Sequence, residues 1–475
     1  MMGNNYLPEK TLCYRGVIKG KHGLMGRTKL LKNLLLSSKK NMRSRELGNL
    51  RAVLSSFFVC FFFLSFDEAL AKQELKILKV GNLLNVETGT LTQNQEILIK
   101  GDQILNVGAV TDIGIIEKAE VINLSALTVL PGLIDVHVHL IGDSRIKGYR
   151  ALADSIPKKT LFGASNAKKT LMAGFTTVRN VGSPGFADVA LRDAIEEGVI
   201  DGPRMLVSGP SIGASGGHCD NNLLPPRFNN FSDGVADGPW KIREKVRQNI
   251  KYGANLIKFC ATGGVLSKGT NLKMQQYAEE EMRALVEEAE SRGRRVAAHA
   301  HGTKGIKTAI KSGAASIEHA SFIDDEGISL ALERGTALVM DIYVSDYILE
   351  KGITLGFLPE SINKERTVGR VQRANFQKAH KAGANIVFGS DAGVFPHGLN
   401  AKQFSYMVEF GMKPIEAIQA ATLKAAELVG RADVGIIKAG LKADIIGTSV
   451  NPLEDISALE NVNFVMKAGK VYRRE

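Results

Sequence analysis

Between about residue 129 and residue 428 one pattern repeats: an amphipathic stretch with apolar residues at helical spacing, a glycine, then a short apolar run within a few residues. The glycines are Gly174, Gly198, Gly253, Gly293, Gly313, Gly335 and Gly383. A glycine after an amphipathic stretch supplies the left-handed cap that ends a helix. The apolar runs predict strands at 129–140, 175–181, 204–209, 256–262, 295–300, 316–320, 337–343 and 385–389. Eight strands alternating with helices predict a (β/α)8 (TIM) barrel over residues 129–433. A doubly wound sheet is the alternative, but it would not bring the first and eighth strands together.

The flanks read differently. Residues 72–128 and 434–475 alternate apolar and polar positions between turn signals such as Gly81-Asn82, Glu87-Thr88-Gly89, Gly101-Asp102 and Asn451-Pro452. Each flank is too short to bury much core alone. Together they predict a small β-sandwich built from both chain ends.

Residues 1–71 belong to neither pattern. The apolar run 52–66 is shorter than the ~20 residues of a membrane span. It is preceded by Arg43, Arg45 and Arg51 and followed by Ala69-Leu70-Ala71. Read from Met42, this is a signal peptide with a small-x-small cleavage site, and it predicts an exported protein, periplasmic or secreted. Residues 1–41 are then surplus, and a short membrane anchor is the other reading. The same segment explains most of the charge. The chain carries a net +12, but residues 1–71 hold 12 Lys+Arg against 4 Asp+Glu, leaving 49 against 45. That residue balance is ordinary for an enzyme and gives no nucleic-acid footprint. Beyond residue 71 only Cys219 and Cys260 remain. Two cysteines predict no disulfide framework. Cys260 reads as a core residue and Cys219, beside His218 in a Gly-rich loop, as a candidate reactive thiol.

The candidate chemistry sits at the strand ends. In Pro131-Gly132-Leu133-Ile134-Asp135-Val136-His137-Val138-His139 the two histidines are two apart, so on a strand they share a face and can aim at one metal ion. Lys258, His299, His319 and Asp391 each lie near the end of a later apolar run. Active sites of the barrel form at those ends. Histidine is scarce, 9 in 475 residues, and clusters here.

These motifs, with SGGHCD at 215–220, IKFCATGGVLS at 257–267, AAHAHG at 297–302, SIEHAS at 316–321, GSDAGVFPHGLN at 389–400 and GLKADII at 440–446, occur in one order. In that order the chain resembles the metal-dependent amidohydrolase superfamily, in its imidazolonepropionase-like branch with Xaa-Pro and Xaa-Arg/Lys dipeptidases. The resemblance implies two divalent metal ions, zinc first. His137, His139 and Asp391 would hold one, and His299 and His319 the other. Lys258 would bridge them after carbon dioxide converts its amine to a carbamate. Asp391 would be the general base, and His218, in the loop after the third strand, would stabilise the oxyanion. His301, on the same face as His299, would contact a substrate carboxylate, and His397 would line the pocket. Asn180 and Cys219 depart from the residues common in relatives, Asp and Gly.

The function read from the chain is cleavage of the amide bond of a dipeptide or N-acyl amino acid, Xaa-Pro dipeptidase-like. The alternative is a ring amidase or deaminase of the imidazolonepropionase type. A catalytically dead binding protein would show lost ligands, and none is lost. The expected partner is a small peptide or N-acyl amino acid, with homo-oligomer formation left open. Side-chain preference is not legible in the loop 344–366, where acidic and basic residues mix.

Overall fold

A computed structural model describes residues 74–475, and the predicted signal segment lies outside the described residues. Its fold is α/β. Three parallel strands, β5 (Leu133–Val138), β6 (Phe175–Asn180) and β7 (Arg204–Val207), form one sheet in that order. Four more form a second: β8 (Ile257–Cys260), β9 (Val296–Ala300), β10 (Ser316–His319) and β11 (Ala337–Val339). Every residue of these strands is buried except in β7, as expected for parallel strands covered by helices. All seven glycines read as helix stops have positive φ, between 66° and 100°.

The eighth predicted strand, 385–389, is not one. It is an extended segment with a single bridge, Ile386 to Leu338. Its backbone pairs left and right: Val387 N donates to Leu338 O, and Val136 N to Phe388 O. The ladder breaks because Phe388 N turns away to Ala420 O. On the opposite side, Ile212 N donates to Lys258 O and Cys260 N to Ile212 O, linking the chain after β7 to β8.

The predicted first strand, 129–140, is also two strands. β4 (Glu120–Pro131) ends at Pro131, and β5 begins after Gly132. A Cβ at residue 132 would lie 2.2 Å from the Thr176 hydroxyl, so only glycine lets the chain cross here.

The two chain ends meet in one sheet of seven strands. β1 (Leu75–Asn85), β2 (Thr90–Lys100), β3 (Gln103–Val107) and β4 join β12 (Ile445–Thr448), β13 (Phe464–Lys467) and β14 (Lys470–Arg474) in the order β14-β13-β12-β4-β1-β2-β3. A two-sheet sandwich was expected, but this sheet rolls onto itself. The β3 edge returns to residues 440–443, with Ile104 N donating to Leu441 O and Ala443 N to Asp102 O. Leu78, Ile97, Ile99, Ile122, Phe464 and Met466 fill the roll. Each such side chain contributes about 1.5–3 kcal/mol on burial.

Candidate metal centre

The C-terminal ends of the parallel strands open into a cavity of about 730 Å³ whose wall includes His137, His139, Lys258, His299, His319 and Asp391. The sequence reading placed these six at strand ends, and the structure gathers them in one cavity. His137 Nε2 and His139 Nε2 stand 3.5 and 3.4 Å from Asp391 Oδ1. A tetrahedral ion with bonds of about 2.1 Å sets its ligand atoms about 3.4 Å apart. The three residues therefore fit a divalent cation. His299, His301 and His319 form a second group with ligand atoms within 4.8 Å of one another, and Asp341 joins His319 and Asp391 in a third.

Backbone strain aims two of these side chains. His319 has φ 71° and Asp391 φ 58°, left-handed conformations that non-glycine residues seldom adopt. Such strain concentrates where geometry serves a site.

A buried layer fixes the histidines. Arg179 crosses from β6 to β10, donating to Val136 O, Ser316 Oγ and, at 2.7 Å, Glu318 Oε1. Glu318 Oε2 lies 2.9 Å from His137 Nδ1, but off the axis of a hydrogen bond, and neither atom has another partner. Burial works to raise the Glu318 carboxyl, but the charges of Arg179 and Lys258 and the approach of His137 together outweigh it and hold the group below the usual carboxylate range. An anion at Nδ1 favours the tautomer whose Nε2 lone pair faces Asp391. His319 Nδ1 meets Asp341 Oδ1 at 2.8 Å in the same way, and Gln372 Nε2 donates to Asp341 from behind. Asp135 ties β5 to the segment after 389, accepting from His137 N, Ser390 and Asn400.

Burial sets the charge states. It drives the His137, His299 and His301 imidazoles well below their ordinary range and takes His139 to about 3. Neutral imidazole is the form that binds metal. Among the described histidines of the site His319 alone is raised: burial lowers it most, but the charge and hydrogen bond of Asp341 and the charge of Asp391 together outweigh that. Burial, with the Asp341 charge added, lifts the Asp391 carboxyl to about 7. Burial pulls the Lys258 ammonium down to about 8 against the attraction of Glu318.

His218 stacks on His299, ring centroids 4.0 Å apart, with Nδ1 2.8 Å from Ser267 Oγ. The glycine that admits it is Gly264, where a Cβ would meet the His218 ring at 2.3 Å, rather than its neighbours Gly216 and Gly217. His301 stands edge-on to His299, stacks on His319 at 4.7 Å, and meets Ser321 Oγ at 2.7 Å through Nδ1. His218 and His301 thus both pack on His299. His397 is outside the cavity wall. It is buried, with Nδ1 3.1 Å from Thr170 Oγ1 and Nε2 3.1 Å from His139 O. Both ring nitrogens are engaged, so it supports His139 instead of meeting substrate.

Cys219 and Cys260 are joined by a disulfide, contrary to the expectation from their number. It fastens the His218 loop to the end of β8, two residues beyond Lys258. The segment 344–366, read in sequence as a loop, is the helix Val344–Leu355 and the first turns of the helix Pro359–Lys381, and its Val344, Ile348 and Glu365 reach the cavity. Burial raises the Glu365 carboxyl to about 7.

Residues missed in sequence include Asp341, Arg179, Glu318 and Lys147. Asp341 alone left a signal, an acid directly after the apolar run Ala337-Leu338-Val339-Met340, as Asp391 follows 385–389.

Comparison with known proteins agrees with this geometry. The sequence profile of the amidohydrolase family matches residues 128–472. The ochratoxinase of Aspergillus niger is 35% identical over 369 residues, covering 72% of this chain and 75% of its own length. The crystal structure of a Xaa-Pro dipeptidase with bound methionine in the active site superposes with TM-score 0.80 at 38% identity, covering 84% of this chain and all of that one. A prolidase complexed with N-methylphosphonate-L-proline gives TM-score 0.77 at 30% identity with the same coverages.

Proposed function

This chain belongs to the amidohydrolase family and is a hydrolase of amide bonds, and we propose that its substrate is a dipeptide or N-acyl amino acid with a free carboxylate. The observation that carries this is the pair of ligand groups facing one cavity, His137/His139/Asp391 and His299/His301/His319, with Lys258 on the same wall. In this reading the two parallel sheets and the 385–389 segment close as a (β/α)8 barrel spanning 129–433, flanked by 72–128 and 434–475.

His137, His139 and Asp391 would hold one divalent ion, His299 and His319 a second, and Lys258, as a carbamate, would bridge them. Zinc suits such His/carboxylate ligands, though availability decides among several ions. When bound, the pair polarises the scissile carbonyl and acidifies a water. Asp391 takes a proton from the attacking water and delivers it to the leaving nitrogen. In this reading the Ser267 hydroxyl donates to Nδ1 of His218, which leaves Nε2 a proton to donate to the developing oxyanion. His301, its Nδ1 held by Ser321, presents Nε2 beside His299 as a neutral hydrogen-bonding group. Val344, Ile348 and Val368 give one wall an apolar surface suited to a proline ring. The Xaa-Pro dipeptidase and prolidase relatives support that choice.

A dipeptide should therefore be cleaved faster than its C-terminal amide, with Xaa-Pro ahead of other dipeptides in a library on metal-loaded protein. Equal cleavage of acid and amide would favour the ring amidase or deaminase reading. His218→Ala should lower kcat by about 10²–10³-fold, with metal content unchanged by elemental analysis.

Export is proposed on the segment 1–71 alone. N-terminal sequencing of the active protein from a bacterial host should begin near Lys72, outside the cytoplasm. Finding Met1 or Met42 intact would refute processing.

A further inference from the structure

The proposed reaction needs a counter-charge for the substrate carboxylate, and the rings around the ligand groups do not supply one. His301 is buried and neutral, and it packs on His299 and His319. The covalent structure of a dipeptide adds a positional constraint. One carbon separates the leaving nitrogen from the C-terminal carboxylate. If Asp391 returns the proton to that nitrogen, the counter-charge must lie close to Asp391.

Lys147 meets that condition. It lies in the loop after β5 and lines the cavity with His137, His139 and Asp391. Its ammonium donates to Gly393 O, two residues beyond Asp391, and stands 5.7 Å from the centre of the Phe357 ring. It forms no ion pair among the described residues. Its neighbours do: Arg145 is held by Asp143 at 2.8 Å and Lys158 by Asp154. These two acids on the rim are therefore engaged by other cations, and no carboxylate of the described residues pairs directly with Lys147, although Asp143 and Asp391 attract it from a distance. Burial draws its ammonium down to about 8, and Asp391 is close enough to pull the other way. It still carries charge at neutral pH. A half-buried ammonium with one carbonyl partner is under-satisfied, since it has three donors.

Resting on the carboxylate-bearing substrate proposed above, we propose that Lys147 anchors the substrate's C-terminal carboxylate and so sets the preference for a free acid on the leaving side. Two other lysines line the cavity. Lys258 stands among the ligand groups, and Lys159 is half-exposed on the helix Ile156–Met172. Lys159 also lacks an acidic partner among the described residues, so it is the control.

The test is steady-state kinetics on a dipeptide and its C-terminal amide with metal-loaded full-length protein. Lys147→Met should raise KM for the dipeptide by about 10–100-fold, the range for losing a hydrogen bond to a charged group. KM for the amide should stay within about twofold. Lys147→Arg should recover most of the dipeptide's affinity, and Lys159→Met should leave both substrates unaffected. Lys147→Gln replaces the Met variant if that one does not fold. Loss of kcat on both substrates together would mean that Lys147 serves Asp391 and not the substrate, and the anchor would be wrong. If wild type prefers the acid and Lys147→Met prefers it equally, the anchor alone falls. If wild type cleaves both alike, the carboxylate reading falls and takes the anchor with it.

Discussion

Asp391→Asn is expected to lower kcat by about 10²–10⁴-fold, the range for a lost general base, and to reduce bound metal below two ions per chain. Two arguments meet at this residue. Its Oδ1 is the atom that both His137 and His139 approach, at 3.5 and 3.4 Å, so the amide would remove an anionic ligand. It also belongs to the group with His319 and Asp341, so its carboxylate stands between the two halves of the site. Its φ of 58° shows that the chain holds a strained backbone to keep it there, a cost of order 1–3 kcal/mol in such conformations. The amide is isosteric, and burial already favours an uncharged side chain here, so the fold should survive. Circular dichroism and elemental analysis alongside kinetics decide the matter. Chelated wild type should lose activity likewise and regain it on adding zinc. Activity within tenfold of wild type in the Asn variant, or full activity in chelator, would remove the basis for a metal-dependent base at residue 391.

The six candidate ligands were legible because each interrupts an apolar run at its end, where a buried strand has no other use for an imidazole, amine or carboxylate. The helix stops were legible because a left-handed cap is a local demand that glycine meets. What escaped depends on contacts distant in sequence. Arg179 sits inside a strand pattern, and nothing local shows that it crosses to Glu318, 139 residues away. The Cys219–Cys260 disulfide needs the loop after β7 folded over β8. The eighth strand looked like the others in hydrophobicity. Its ladder is broken by Phe388 pairing with Ala420, a partner that no periodicity encodes. His397 was misplaced for a related reason. A histidine just after a ligand strand reads as a pocket residue, and only the positions of Thr170 and the His139 carbonyl reveal that its ring is spent on support.

Lys258 is the most consequential residue whose chemical state the chain alone does not express, and Lys258→Ala is expected to abolish turnover, on the order of 10³-fold or more if two ions are required. Lys258 is buried on β8, faces the ligand groups, and makes no hydrogen bond to another described residue through its amine. A free ammonium there would repel both cations. Addition to carbon dioxide removes the difficulty. The amine lone pair forms a bond to carbon, one proton leaves, and the product is an anion with two oxygens. Burial, by drawing the ammonium down to about 8, raises the fraction of free amine available to react near neutral pH. Three results should follow. Metal-free protein should regain activity with metal and bicarbonate together, and less with metal alone in carbon dioxide-free buffer. Lys258→Ala should recover part of its activity in short carboxylates such as propionate, which replace the missing oxygens, and Lys258→Arg should not. Mass spectrometry under native conditions should find the active protein heavier by one carbon dioxide. Full activity regained without bicarbonate, in protein whose Lys258 is a free amine, would leave the lysine as a buried cation attracted by the Glu318 charge, and the bridge between the two ligand groups would have to come from elsewhere.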